Sequence, residues 1–358
     1  MARFQKVQSL SRPGGAFLLP GIFYFESKFD FMPNPVIIAT GYHVPETVVP
    51  NDELKKYYET SDEWIRERSG IHERRYAVNG EGPADLAKPA VEQALAKAQL
   101  TPQDIDLILF ATLSPEAYFP GSGCFLQKLI DFGNTPALDI RMQCSGFIYG
   151  LSVAEVYIRS GKYKRILLIG GEVQSTGLDR TNEGRTVGVL FGDGAGCVII
   201  EAQETERGIR STHLYTDGRN AEQLWLEEPT SRRFPRTNPD GKAQYPQMNG
   251  REVFKHAVTN MSSTIVEAAK EQGWSLEEVD LIIPHQANYR ISAAIAENLN
   301  FPKEKVYSNI HKYGNTTAAT IPICMAEAEA EGKLKQGDKV IATAFGSGFT
   351  WASAAIIW

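Results

Sequence analysis

The chain has no Cys-x-x-Cys pair, no excess of positive charge, and no apolar run near the roughly 20 residues that cross a bilayer. Its four cysteines, Cys124, Cys144, Cys197 and Cys324, stand apart from one another. That spacing signals neither a zinc site nor a redox dithiol, so no metal is predicted. A chain of 358 residues buries enough core to need no disulfide staples, which predicts reduced thiols and a cytoplasmic protein. Net charge is −6, which argues against broad attraction to nucleic acid and leaves room for a local basic patch facing an acidic partner.

What is present is an ordinary globular composition, 42% hydrophobic and 22% charged, at a length suited to two domains. Residues 1–31 are unusual. AFLLPGIFYF at 16–25 follows Arg3, Lys6 and Arg12 and has the make-up of a signal-peptide core. Pro20 interrupts it and no small-residue cleavage site follows. The preferred reading is an extension, with Met32 the natural start and a strand at 36–41, VIIATG.

The chain repeats itself. PADLAKPAVEQALAKAQLTPQDID at 83–106 and AVTNMSSTIVEAAKEQGWSLEEVD at 257–280 align without a gap at an offset of 174. Val91 matches Ile265, Ala94 matches Ala268 and Asp106 matches Asp280. Each copy has apolar residues at helical spacing, then a capping-box signal, Thr101-x-x-Asp104 or Ser275-x-x-Glu278. Each then enters an apolar run, DLILFA or DLIIPH, that predicts a buried strand. KRILLIGG at 164–171 recurs at the same offset as DKVIATAF at 338–345. Two similar layered α/β domains are expected: an extension at 1–33, a first half at 34–205 and a second at 206–358.

PALDI at 136–140 predicts a buried strand, and SGFIYGLSVAEVYIRS at 145–160 a helix that Gly161 stops. Cys144 therefore sits at a strand-to-helix turn, where the helix dipole is expected to lower its pKa. Gly146 leaves room for close backbone approach. A buried structural cysteine is equally compatible with this turn alone. His285 stands in PHQANYR where the first half has Ala111, and Asn315 stands in KYGNTTAAT before the helix that corresponds to the Cys144 helix. Pseudo-twofold symmetry would bring Cys144, His285 and Asn315 together. The glycine-rich turn AFGSGFTW at 344–351 exposes N–H groups of the kind that hold an oxyanion.

In this order these motifs resemble the β-ketoacyl-acyl-carrier-protein synthase III family, over residues 34–358. They are TSDEWIRERSGI (60–71), CSGF (144–147), FGDGAG (191–196), GREVFKHAV (250–258), PHQANYRI (284–291), YGNTTAA (313–319) and FGSGFTW (345–351). The resemblance implies a thiolase-like fold, two βα domains in a five-layered αβαβα core, usually a homodimer. It implies acyl transfer from acyl-coenzyme A to Cys144, then decarboxylative condensation with malonyl-acyl carrier protein to start fatty acid synthesis, without a bound cofactor.

Implied roles follow residue by residue. His285 and Asn315 form the decarboxylation pair, and the backbone N–H groups of Cys144 and Ser347 the oxyanion hole. Trp64, Arg68, Arg185, Arg251, Phe254 and Asn288 contact coenzyme A or substrate. Phe119 reaches across the dimer to floor the partner's acyl pocket. Lys255 and Arg290 meet the carrier protein. The chain departs from the family pattern at Arg141, Met142 and Gln143, where small residues are usual. It departs again at Ser347 for glycine, Arg251 for asparagine, and Glu297 for a basic residue. These changes bear on primer choice and docking. A ketosynthase III-like enzyme of secondary metabolism and an acyltransferase with a non-acetyl primer remain open. More remote are a catalytically silent partner subunit and a cysteine protease of papain order, whose CGSCW signature is missing.

Overall fold

Two mixed sheets form because each half supplies short runs of Val, Ile, Leu and Ala that are buried on both faces. The computed structural model describes residues 32–232 and 244–358. The predicted extension and its signal-like segment at 1–31 lie outside the described residues. Met32–Trp358 forms one compact unit, and no helix of the described residues is long and apolar enough to cross a membrane.

The first sheet contains β1 (Asn34–His43), β2 (Leu107–Ala111), β3 (Ala137–Ile140), β4 (Arg165–Glu172) and β5 (Gly194–Gln203), in the order β1–β5–β4–β2–β3. β2 runs parallel to both β3 and β4, while β5 is antiparallel to β1 and β4. The second sheet contains β6 (Gly208–Thr216), β7 (Leu281–Pro284), β8 (Lys339–Gly346) and β9 (Thr350–Ile357), in the order β7–β8–β9–β6. Its β7 and β8 are parallel and its other pairs antiparallel.

The helices that matter are α1 (Asp62–Ser69), α2 (Pro83–Ala98), α3 (Ser122–Leu129), α4 (Gly146–Arg159), α5 (Gly250–Glu271), α6 (Tyr289–Asn298) and α7 (Thr320–Ala330). α2 and α3 cover the outer face of the first sheet, and α5, with α6 beside it, covers the outer face of the second. α4 and α7 lie between the sheets and touch both. The result is the five-layered αβαβα, thiolase-like fold. Its central core joins Phe147, Leu151 and Ile158 of α4 with Ile321, Cys324 and Met325 of α7.

The duplication is visible element by element. Gly146 and Thr320 open the two central helices, 174 residues apart, and β8 repeats the limits of β4 at the same offset. The 3-10 turns Gln143–Ser145 and Thr317–Ala319 match too. Gln143 (φ 47°) and Thr317 (φ 48°) each take the left-handed conformation that non-glycine residues rarely adopt. The capping boxes predicted at Thr101–Asp104 and Ser275–Glu278 are formed.

One strand differs from expectation. β3 was expected to be buried, yet Leu138 is 44% exposed, because β3 is the sheet edge and pairs only with β2.

Candidate active site

Cys144 sits in the 3-10 turn that links the edge strand β3 to α4. Gly161 (φ 70°) ends the segment after that helix. Cys144 is 8% exposed and lines two cavities at once. The predicted lowering of its pKa by the helix terminus is outweighed. Burial, with the negative Glu172 as a second cause, pushes the Cys144 pKa up to about 12. A dipole effect near 1 kcal/mol does not offset removal of water from the sulfur.

Glu172 ends β4 and is fully buried. It accepts from Ser114 Oγ at 2.6 Å, from the Leu113 N–H at 3.2 Å and from Gln174 Nε2 at 3.2 Å. The Ala318 N–H reaches it at 3.5 Å. Burial pushes its own pKa up despite these donors. Sequence reasoning missed Glu172. The available signal was a carboxylate at the end of an otherwise apolar strand.

His285 follows the last residue of β7 directly, and its N–H donates to Thr343 of β8 at 2.8 Å. Its ring is 2% exposed. Burial lowers its pKa to about 3, so the imidazole is neutral near pH 7. Nδ1 lies 2.7 Å from Thr320 Oγ1, whereas Nε2 is buried without a partner.

Asn315 is locked from both sides by the loop of the first half. Its N–H donates to Leu190 C=O at 2.9 Å, and the Gly192 N–H donates to its carbonyl at 3.1 Å. Its Oδ1 accepts from the Thr317 N–H at 2.9 Å. That bond orients the amide and leaves Nδ2 for the cavity the residue lines. Cys144, His285 and Asn315, spread over 171 residues of sequence, share one cavity of about 270 Å³.

The FGDGAG motif is the clamp that makes this possible. Asp193 is fully buried and accepts from the N–H groups of Ala77, Gln174 and Ser175 at 2.7–2.9 Å, and from Ser175 Oγ at 2.5 Å. It thereby orders the loop after β4, next to the segment that holds Asn315.

The turn between β8 and β9 places Ser347 on the second cavity, of about 480 Å³. Its Oγ donates to Leu224 C=O, so the hydroxyl serves the turn and only the backbone is available for chemistry. Gly348 (φ 140°) turns the chain there. Arg141, Gln143 and Gln174 line the same cavity beside Leu113 and Val173, which makes its wall partly polar.

The smaller cavity opens past Trp64, Arg68, Phe254 and Asn288. The guanidiniums of Arg68 and Arg185 lie over the Trp64 ring, at 4.5 and 4.8 Å from its centroid. Two cations and an aromatic face suit a flat, phosphorylated ligand. Asn288 is the N-cap of α6 through its bond to the Arg290 N–H, and its Nδ2 donates to Arg68 C=O at 2.9 Å. Its amide therefore braces the cavity mouth.

Arg251, Lys255, Arg290 and Glu297 are exposed and line neither cavity. Arg290 stands over the Phe254 ring at 5.7 Å. Phe119 is 79% exposed and Tyr118 60%, on the loop before α3. The structure thus joins Cys144, His285, Asn315, Trp64, Arg68, Phe254 and Asn288 on one cavity. It places Arg185 beside that cavity over Trp64, and leaves Arg251, Lys255, Arg290 and Phe119 at the surface.

Comparison with known proteins agrees with this architecture. Residues 138–218 match the family model described as 3-oxoacyl-[acyl-carrier-protein] synthase III, and residues 269–358 match that of its C-terminal part. The chain is 44% identical to the β-ketoacyl-[acyl-carrier-protein] synthase III of Aquifex aeolicus, over 88% of this chain and 97% of the relative. It is 41% identical to that of Bacillus pumilus, over 91% and 99% respectively. The crystal structure of the Aquifex aeolicus 3-oxoacyl-[acyl-carrier-protein] synthase III superposes with a TM-score of 0.84, covering 90% of this chain and all of the other at 43% identity. The priming β-ketosynthase of the R1128 polyketide pathway shares the fold, with a TM-score of 0.83 at 24% identity over 91% of this chain and 96% of the other.

Proposed function

The chain belongs to the β-ketoacyl-acyl-carrier-protein synthase III family of acyltransferases, and from that premise we propose how its own residues divide the condensation. The observation that carries the proposal is the shared cavity of Cys144, His285 and Asn315, with His285 Nε2 buried and unpartnered.

An acyl-coenzyme A enters past Trp64, Arg68 and Arg185. The Cys144 sulfur attacks the thioester carbonyl, and the proton it gives up ends on the departing coenzyme A sulfur. The N–H groups of Cys144 and Ser347 hold the oxyanion, coenzyme A leaves as thiol, and the acyl group stays on sulfur. A malonyl thioester on acyl carrier protein follows. His285 Nε2–H and Asn315 Nδ2–H donate to its thioester oxygen while the C–CO2 bond breaks. The electron pair left on carbon forms an enolate that attacks the acyl-Cys144 carbonyl. The carbon–sulfur bond to Cys144 breaks and a 3-oxoacyl thioester departs. These steps use no metal or redox group. Neutral His285 suits them, because a positive charge beside the carboxylate would favour the reactant over departing CO2.

Lys255 and Arg290 are proposed to meet the acidic carrier. Exposed Phe119 and the open edge of β3 suit a homodimer in which that loop covers the partner's acyl cavity. Four unpaired thiols suit a cytoplasmic setting. A second possibility concerns the primer. A cavity of about 480 Å³ with Arg141, Gln143 and Gln174 on its wall is larger and more polar than an acetyl group needs. That favours a longer or polar-ended acyl group.

Incubation with acyl-coenzyme A, digestion and mass spectrometry should find the acyl group on the Cys144 peptide. A Cys144→Ala variant that is still acylated or still condenses sinks the assignment. A mixed acyl-coenzyme A pool read by intact mass reports the primer.

A further inference from the structure

The two halves hold the chain that leads to their reactive residues in different ways. In the first half β3 runs on to Cys144, and a main-chain ladder ties it to β2 from Ile108 with Ala137 to Ala111 with Ile140. The Thr112 N–H extends that ladder with a bond to Ile140 C=O at 3.3 Å. In the second half the segment that runs on to Asn315 makes one bridge to β7 among the described residues, Ile282 with Val306. A main-chain bond follows, from the Tyr307 N–H to Ile282 C=O at 2.9 Å. Past that point a side chain takes over. At the offset of 174, Thr112 corresponds to Gln286.

Gln286 is 2% exposed and follows His285 directly. His285 and Ala287 on either side of it line the smaller cavity, and Gln286 does not. Its Nε2 donates to Pro284 C=O at 2.7 Å and to Tyr307 C=O at 3.3 Å. Its Oε1 accepts from Ser308 Oγ at 2.8 Å and from the Asn309 N–H at 3.3 Å. A primary amide has two N–H donors and two lone pairs, so all four sites are used. The carbonyls on one side and the Asn309 N–H on the other fix which way the amide faces. The segment it grips is stiff as far as Asn315. Buried Glu327 of α7 accepts from Asn309 Nδ2 at 2.9 Å, Lys312 Nζ at 2.8 Å and Tyr313 Oη at 2.9 Å. Asn315 itself is bonded to Leu190 and Gly192 of the first half, whereas His285 is bonded to Thr343 of the second sheet. Gln286 joins those two frames.

We propose that Gln286 is a positioning residue: its buried amide clamps the strand end that carries His285 to the segment that carries Asn315, and so sets the spacing of the two donors. The proposal rests on the roles given to His285 and Asn315 above. Spacing matters because both donors must reach one thioester oxygen, and hydrogen bonds weaken with length and misalignment.

The test separates the two partial reactions. Gln286→Met keeps the length of the side chain and removes all four bonds. Its kcat for CO2 release from malonyl-coenzyme A should fall by about 10- to 100-fold, the scale of misplacement up to about 1 Å, while KM stays within about threefold. Acylation, read as mass gained on Cys144, should also stay within about threefold, because His285 and Asn315 act in the other step. Gln286→Asn, whose amide is one methylene short of the same partners, should show the same split to a smaller degree. Circular dichroism identifies a folded variant, and Gln286→Asn decides the matter if Gln286→Met does not fold.

Normal CO2 release, a rise in KM with kcat unchanged, an equal fall of both partial reactions, or failure of both variants to fold would each overturn the proposal. Normal CO2 release by His285→Ala and by Asn315→Ala would instead remove the roles on which it stands.

Discussion

Gly346, the last residue of β8, lies against Cys144 so closely that a Cβ there would sit 3.1 Å from both the Cys144 nitrogen and Cβ. The cysteine of one half is thus seated on the strand end of the other. Gly346→Ala would push the Cys144 side chain and backbone N–H, the proposed oxyanion donor, aside. Acylation by acyl-coenzyme A should fall several-fold, since Cys144 must give by a few tenths of an ångström and about 1 Å of misplacement costs roughly 10²-fold. Overpacking should destabilise by about 1–3 kcal/mol. Circular dichroism and Tm identify a folded variant, and wild-type acylation by it would disprove the seating role.

The Cys144 thiol is protonated at neutral pH, with burial as the first cause and Glu172 as the second. Alkylation by iodoacetamide should be slow near pH 7 and climb steadily to the alkaline limit of the assay. Glu172→Gln removes a negative neighbour and should raise the rate at fixed pH while lowering Tm, because the amide nitrogen meets donors at Ser114 and Leu113. An unchanged alkylation rate in a folded variant would contradict the coupling.

The His285 pKa lies near 3 in the folded chain, below the ordinary value of 6.5. A lowered histidine pKa makes the folded state bind fewer protons than the unfolded state. This contribution to stability is full above about pH 6.5 and is lost as pH falls toward 3. Malonyl decarboxylation should therefore lack an inflection near pH 6–7, and Tm should decline on acidification. His285→Ala should still acylate, lose decarboxylation, and show a shallower acid decline in Tm. A decarboxylation limb at pH 6–7 in the parent, matched by titration of the His285 ring in NMR over the same range, would refute the neutral ring.

Trp64 with Arg68 and Arg185 over its ring forms the cavity mouth. Trp64→Ala should raise KM for acyl-coenzyme A at least two- to five-fold, roughly the scale of an exposed cation–π contact. It should change little toward acyl-pantetheine, which lacks the nucleotide. Arg185→Ala should act in the same direction and lose its effect at high salt. Equal losses with both thioesters would place these residues elsewhere than on the nucleotide.

The turn at Cys144 was legible in the sequence because strand, turn and helix are local properties: an apolar run, a glycine, and apolar residues at helical spacing. The duplication was legible because a matched offset survives in helices and strands alike, and α4 and α7 begin 174 residues apart as the repeat requires. Even Gln143 and Thr317 keep the same left-handed backbone. The exposed flank of β3 was not legible, since edge and centre strands share composition and differ only in their neighbours.

The sequence alone determined the two-fold α/β plan and named Cys144, His285 and Asn315, because these depend on pattern and order. Tertiary structure decided the chemistry of the site. The thiol pKa moves up rather than down, His285 is neutral, Thr320 meets His285, Glu172 weighs on Cys144, and Gly346 presses on Cys144. Each is set by water excluded and distances closed between residues far apart in the chain, and no local pattern records either.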